Sequence, residues 1–282
     1  MSHSTPQLAL GLALTLTLAA CGDPSPETSE LPLDVPPLSG GSWSRPAADT
    51  TWQWQLSGPL ALGYEVDLYD VDLFDAPDAD LEALRAQGRT IICYFSAGSS
   101  ESWRPDFEQI PDEAIGRKLS GWSGERWLDV RRRDVFDLMV ARLDLAASRG
   151  CDGVEPDNVD GHTNGTGFGL TADDLLAYNR NLANAAHERG LAVGLKNDGG
   201  QAADLVDYYD FALNEQCHEY DECREYSVFL GAGKPVLNAE YPGSESQAQA
   251  ARSEICAAAT LAGTRTLILP LELDDTFRFE CP

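Results

Sequence analysis

Positive charge is scarce in this chain. Lysine and arginine number 20 against 46 aspartates and glutamates, a formal charge of −26 over 282 residues. A surface so acidic repels nucleic acid and bare anionic membrane, and it speeds encounter with a cationic partner. Histidine is also scarce: of 4 in the sequence, only His162, His187 and His218 belong to the body. That argues against a multi-histidine metallohydrolase and against a serine triad. There is no G-x-S-x-G elbow, phosphate loop or dinucleotide fingerprint, and GTGFG at 165–169 stands in the wrong context for one. No long apolar run follows the first twenty residues, so the body is expected to be soluble.

What is present begins with an address. Residues 1–20 contain the apolar core LALGLALTLTLAA, too short to span a bilayer, and run into Leu18-Ala19-Ala20-Cys21. This layout predicts a bacterial lipoprotein signal, cleaved before Cys21 and lipidated on its thiol. The n-region departs from the pattern, since it carries His3 and no Lys or Arg; the alternative is an ordinary cleaved signal. The expected product is an exported cell-envelope protein that meets the membrane through its anchor alone. Residues 21–41, rich in Pro, Ser, Glu and Gly, read as a flexible tether. Residues 42–282 suit one α/β domain, expected to be a monomer.

Setting Cys21 aside leaves six cysteines, an even number in an exported chain, so disulfides are expected. Cys217 and Cys223 are close enough to staple one loop. Cys256 and Cys281 could tie the last helix to the C-terminus, which would leave Cys93 and Cys151 to each other. Zinc on Cys217, His218 and Cys223 would lack a fourth ligand at familiar spacing. No metal or cofactor is expected.

Short apolar runs alternate with helical stretches, the βαβα pattern of a parallel sheet wrapped by helices. Eight strands are predicted, at 51–57, 64–70, 89–96, 150–157, 192–197, 209–215, 234–241 and 264–272, with helices at 78–87, 133–149, 171–189 and 246–261. Eight such strands favour a closed (β/α)8 TIM-type barrel. The gap at 58–63 is too short for a helix, so the first β/α unit is irregular. A long insertion, 97–132, follows the third strand.

A barrel of this kind builds its active site at the C-terminal ends of its strands. Nearly every predicted end is polar: Asp70 and Asp72, Tyr94 and Ser96, Glu155 to Asn158, Lys196 and Asn197, Asn214 and Glu215, Glu240 and Tyr241. In GCDGVEPDNVDG, alternation puts Glu155 and Asp157 on one face with the rigid Pro156 between them. Two acids aimed at one mouth repel, which raises the pKa of one. Glu215 ends its strand just before Cys217, whose disulfide would hold the following loop. The competing readings are a helix cap or cation ligand for Asp157, and for Glu215 a salt bridge to Lys196 or Arg224. Glu240 is the rival acid. Paired carboxylates are what glycoside hydrolysis needs, one as acid, the other as nucleophile or base. Of the aromatics that could stack on sugars, Trp54 and Trp103 are the preferred contacts.

These residues resemble a known family. WQWQLSG (52–58), VDLYDVDLFD (66–75), ICYFSAGSSESWRPD (92–106), WLDVR (127–131), GCDGVEPDNVDG (150–161), GLKND (194–198), NEQCHEYDEC (214–223) and NAEY (238–241) are similar to glycoside hydrolase family 114, the endo-α-1,4-polygalactosaminidases. The resemblance implies a TIM-type barrel that cuts within a chain of α-1,4-linked galactosamine, a cationic exopolysaccharide when deacetylated. It carries the functional acids onto Asp157 and Glu215, and places Asp70, Tyr94, Lys196, Asn197 and Glu240 around the sugar. Two alternatives stand beside it: a lipoprotein that binds such a glycan without cutting it, and a hydrolase of another glycan on the same barrel. Retention or inversion turns on the carboxylate separation.

Overall fold

The computed structural model describes Met1 and residues 31–282. The signal segment, Cys21 and the first half of the expected tether lie outside the described residues.

One sheet carries eight parallel strands: β1 (Trp52–Gln55), β2 (Leu68–Asp72), β3 (Thr90–Ser96), β7 (Gly153–Asp157), β8 (Ala192–Lys196), β9 (Phe211–Glu215), β10 (Val236–Glu240) and β11 (Arg265–Ile268). They neighbour one another in that order, and β12 (Phe279–Glu280) adds antiparallel to β11. Runs such as Ile91, Ile92 and Phe95 are enclosed because a parallel strand is covered on both faces. The sheet curls into a barrel without a backbone ladder between β1 and β11 among the described residues. Side chains and loops span that seam. The Trp52 indole donates to Arg265 O at 2.9 Å, Arg265 donates to Asp49 O at 2.8 Å, and Leu56 N reaches Leu273 O at 3.1 Å. Trp52, Trp54, Ile92, Phe211, Leu237 and Leu267 fill the interior.

The predicted helices are present. They are α1 (Asp78–Ala86), α2 (Arg133–Arg149), α3 (Ala172–Glu188) and α6 (Glu245–Ala262), with shorter α4 (Ala202–Leu205) and α5 (Ser227–Gly231). Thr171 and Asp174 form the expected capping box of α3, and Ser244 with Gln247 forms another at α6. As expected, no helix follows β1. The Gln55 amide organises that loop instead, bonding Ser57 O, Pro59 O and Ala61 N. The second strand lies later than predicted, at Leu68–Asp72, because residues 60–64 are taken up by this loop and by the Tyr69 hydroxyl. All three disulfides pair as expected: Cys93–Cys151, Cys217–Cys223 and Cys256–Cys281. No helix among the described residues is long and apolar enough to cross a membrane.

Two features depart from the expectation. The insertion at 97–132 is a small antiparallel sheet, β4 (Ser99–Glu101), β5 (Ile115–Lys118) and β6 (Glu125–Leu128), in the order β4-β6-β5. And residues 31–38 are no free tether. Arg180 holds Leu33 O at 3.1 Å, Asn181 holds Pro32 O at 2.8 Å, and Asn184 bonds both Pro36 O and Leu38 N. Leu31 and Val35 pack on the core beneath. Trp43 ends this strap: it stacks on His187 at 3.9 Å and donates to Asp210 at 2.8 Å. The apolar residues interspersed among the prolines are what convert tether into strap.

Truncating Trp43 removes a buried ring and its hydrogen bond to the buried Asp210 carboxylate. Trp43→Ala is therefore expected to cost about 3 kcal/mol of unfolding free energy in urea denaturation; a loss below about 1 kcal/mol would mean that the strap is incidental.

Candidate active site

The strands β7, β8 and β9 leave the barrel mouth in the same way. Asp157, Lys196 and Glu215 end them, and the next residues, Asn158, Asn197 and Gln216, have φ of 61°, 50° and 60°. A non-glycine residue in the left-handed region is costly, and such residues cluster at functional sites. Here the turn lifts the chain off each strand and leaves the terminal side chain facing the mouth. Gly98 permits the neighbouring loop to approach. Its N–H and that of Ala97 donate to Asp157 O, and a Cβ at Gly98 would fall 1.7 Å from Asn158 O.

The three side chains meet. Lys196 Nζ lies 3.0 Å from Asp157 Oδ1, 3.0 Å from Glu215 Oε2 and 3.5 Å from Glu155 Oε1. The ammonium is 3% exposed and sits 5.2 Å from the centre of the Trp54 ring. Burial opposes its charge, but Asp157, Glu215 and Glu155 outweigh burial and hold it well above the usual lysine range. Each carboxylate has further partners. Asp157 accepts the Tyr94 hydroxyl at 3.0 Å, Asn158 N at 2.7 Å and Asn158 Nδ2 at 3.2 Å. Glu215 accepts the Tyr241 hydroxyl at 2.6 Å. Burial pushes both phenols well above their ordinary range, so they stay protonated and donate.

Two residues down β7, inside the barrel, Glu155 faces Asp70 of β2. Both are fully enclosed, and apart from the Lys196 ammonium at 3.5 Å from Glu155 Oε1 no donor among the described residues reaches their oxygens. Burial pushes Asp70 up to about 7 and, with the nearby Asp70 charge, pushes Glu155 well above its ordinary value, while Lys196 works in the opposite direction. Two neighbouring buried carboxyls disfavour double ionisation, which favours one proton held by the pair.

Of the residues singled out in the sequence, Asp157, Glu215, Lys196, Asn197, Tyr94, Trp54 and Trp103 line one cleft of about 450 Å³. Asn197 contributes its Oδ1, which accepts Glu215 N at 3.1 Å. Asp70 and Glu155 lie beneath the cleft floor rather than on it. Glu240 is a correction. The register sets Ala239, not Glu240, beside Glu215, so alternation turns Glu240 out of the barrel interior. Its carboxylate accepts His218 N at 2.9 Å and Asn238 Nδ2 at 3.0 Å, and so pins the loop after Glu215. Tyr241 is the inward residue, and the same alternation would have found it. The salt-bridge alternative for Glu215 holds as to Lys196; Arg224 pairs instead with exposed Asp221 at 3.8 Å.

The inserted sheet supplies cleft residues that strand-end reasoning could not reach: Glu101, Arg104, Trp122, Glu125 and Trp127. Arg104 grips Asp72 with two nitrogens, at 2.9 and 2.6 Å, and Glu101 at 2.7 Å. It thereby ties the insertion to β2.

A buried lysine between two acids at the mouth of a parallel barrel suits acid-assisted cleavage of a glycosidic bond. Comparison with known proteins decides the family. The sequence matches the glycoside-hydrolase family GH114 over residues 35–281. The chain belongs to glycoside hydrolase family GH114. Among solved structures it is similar to Aspergillus fumigatus Ega3 in complex with galactosamine, with 38% identity, a TM-score of 0.80, and coverage of 86% of this chain and 99% of that one. The glycoside hydrolase domain of Pseudomonas aeruginosa PelA shares the fold, at 14% identity and a TM-score of 0.63, covering 82% of this chain and 97% of that domain. An uncharacterised protein of Deinococcus radiodurans is 26% identical over 302 residues, 91% of this chain and 96% of that protein. This GH114 chain is thus a TIM-barrel glycoside hydrolase.

The shared proton of Asp70 and Glu155 has a consequence for stability. A carboxyl raised on folding binds its proton more tightly in the native state, so its contribution falls as pH rises from about 4 in the unfolded chain through about 7 in the folded one. Asp70→Asn removes that titration. Its melting temperature should fall less than the wild type's between about pH 5 and pH 8; parallel curves would contradict a shared proton.

Proposed function

We propose that this protein is an endo-acting hydrolase of α-1,4-linked galactosamine polymer, with Asp157 as nucleophile and Glu215 as acid and base, and that it works with retention. The observation that carries the reading is the common lysine. Two carboxylate oxygens each 3.0 Å from one nitrogen lie no more than 6.0 Å apart. That ceiling on one oxygen pair favours the spacing of about 5–5.5 Å in retaining enzymes over the roughly 6.5–9.5 Å of inverting ones.

The roles follow from the partners. Four donors converge on Asp157, from Lys196, Tyr94 and both nitrogens of Asn158, which suits an anion that must stay fixed and attack. Glu215 has two, and its side chain is more open to the cleft, 27% against 16%. Asp157 attacks the anomeric carbon while Glu215 gives its proton to the departing glycosidic oxygen. The bond to the leaving chain breaks, and a glycosyl ester forms on Asp157. Glu215 then takes a proton from water, whose oxygen attacks the same carbon and frees Asp157. Trp54, Trp103, Tyr94 and Asn197 hold the sugar. Asp70 and Glu155 act from below through Lys196.

Galactosamine as substrate is supported by the similarity to the galactosamine-bound Ega3 structure and by the −26 charge, which favours a cationic polymer. Export as a lipoprotein anchored through Cys21 is supported by the N-terminal motif and by three disulfides.

Wild type should release oligosaccharides from galactosamine-rich exopolysaccharide, with the first product retaining the α configuration by proton NMR. Asp157→Asn and Glu215→Gln should each lose at least about a thousandfold while melting like the wild type. Binding of the polymer without release would replace this reading with that of a glycan-binding protein.

A further inference from the structure

The cleavage chemistry leaves one cleft acid without a task. Glu125 opens β6 of the inserted sheet, paired across from Glu101 of β4. It is 6% exposed, yet it lines the cleft. Its Oε2 accepts the Ser99 hydroxyl at 2.9 Å, and no donor among the described residues reaches Oε1. Burial pushes this carboxyl up to about 7; Ser99 opposes that, and the charges of Glu101 and Asp157 add to it. The charge of Arg104 also opposes the rise, but its guanidinium makes its ion pairs with Asp72, Asp75 and Glu101, not with Glu125. The chain therefore buries an acid against the cleft and gives it no cation of its own.

Its surroundings describe what belongs there. A chain of hydrogen bonds joins Glu125 to the cleavage centre, from Ser99 to Ser96 at 2.7 Å, from Ser96 to Asn158 at 2.9 Å, and from Asn158 to Asp157. Glu125 is thus linked to Asp157 through Ser99, Ser96 and Asn158. The preceding Gly124 has a φ of +94°, and a Cβ there would come within 2.8 Å of the Trp103 ring. Glycine lets that indole lie over the turn beside Glu125. Trp103 and Trp122 are 52% and 46% exposed and line the same cleft. Open, flat rings beside a carboxylate lacking a counter-ion fit a sugar that carries a positive charge, since the ring faces attract both the pyranose C–H surface and the cation.

We infer that Glu125, with Trp103 and Trp122, forms a subsite that receives a sugar bearing a free 2-ammonium group, and that this subsite sets a preference for de-N-acetylated over N-acetylated units. An ammonium at Oε1 supplies the missing charge. An acetamide offers a neutral N–H and a methyl group, and leaves the carboxylate buried without compensation. The inference rests on the galactosamine-hydrolase reading and assigns the residues that select the substrate within it.

The test compares kcat and KM on fully de-N-acetylated and partly N-acetylated α-1,4-galactosamine oligomers, for wild type, Glu125→Gln and Glu125→Asp. Wild type should favour the de-N-acetylated oligomer, and Glu125→Gln should lose at least about tenfold of that preference, with the loss falling on KM rather than kcat. Glu125→Asp keeps the charge and should retain part of the preference. Should Glu125→Gln fold poorly, calorimetric binding of galactosamine and N-acetylgalactosamine to wild type and Glu125→Asp gives the same comparison. A Glu125→Gln enzyme that cleaves with unchanged preference overturns the subsite alone. A wild type that cleaves neither oligomer overturns the functional reading and the subsite with it.

Discussion

The site depends on one ammonium held inside a low-dielectric barrel. Lys196 touches Asp157, Glu215 and Glu155 at once, and each of the three would repel the others without it. A buried ion pair is a weak source of stability, because desolvation offsets its attraction, but it is a strong source of geometry. Here the geometry is the separation of Asp157 and Glu215. Because the cation binds both, their spacing is set by a single atom at the end of β8 rather than by flexible loops. The strand ends, the left-handed turns at Asn158, Asn197 and Gln216, and the donors Tyr94 and Tyr241 all serve to hold that arrangement.

An acid-rich protein must manage its acids, and this one sorts them by partner. Where a carboxylate supports the frame, arginine takes it: Arg104 holds Asp72 and Glu101, and Arg142 holds Asp106 at 2.8 Å. Two of the scarce cations are thus committed to the frame of the insertion beside the cleft. In the barrel interior burial raises both Asp70 and Glu155, which disfavours two full negative charges beneath Lys196. In the cleft the balance is left open. Glu125 lines the opening with a serine hydroxyl as its hydrogen-bond partner, and Arg104, whose charge reaches it, is held by Asp72 and Glu101.

Much of the fold was legible because parallel strands covered on both faces read as continuous apolar runs, and all eight were found with small shifts at their ends. The rule that chemistry collects at strand ends then brought Asp157, Lys196, Glu215, Asn197 and Tyr94 to one mouth. It gave height along the barrel but not direction. Glu240 stands at the right height, yet the register pairs Ala239 with Glu215, so the side chain faces outward and Tyr241 faces in. Trp103 was reached as an aromatic, but Glu125 was not, because β4, β5 and β6 are only three or four residues long and half polar. Segments so short carry no readable period, and their pairing depends on contacts distant in sequence. The strap at 31–38 was hidden in the same way: a proline-rich stretch looks like tether until the partners on α3 are known.

The most direct test of the account is to catch the bond it requires. The Glu215→Gln variant is offered α-galactosaminyl fluoride, whose leaving group needs no acid and whose ester intermediate then lacks a base to assist water. Mass spectrometry of the digested protein should find one galactosaminyl unit on the peptide that contains Asp157. Turnover to an inverted sugar with no adduct, or an adduct on a different residue, would contradict it.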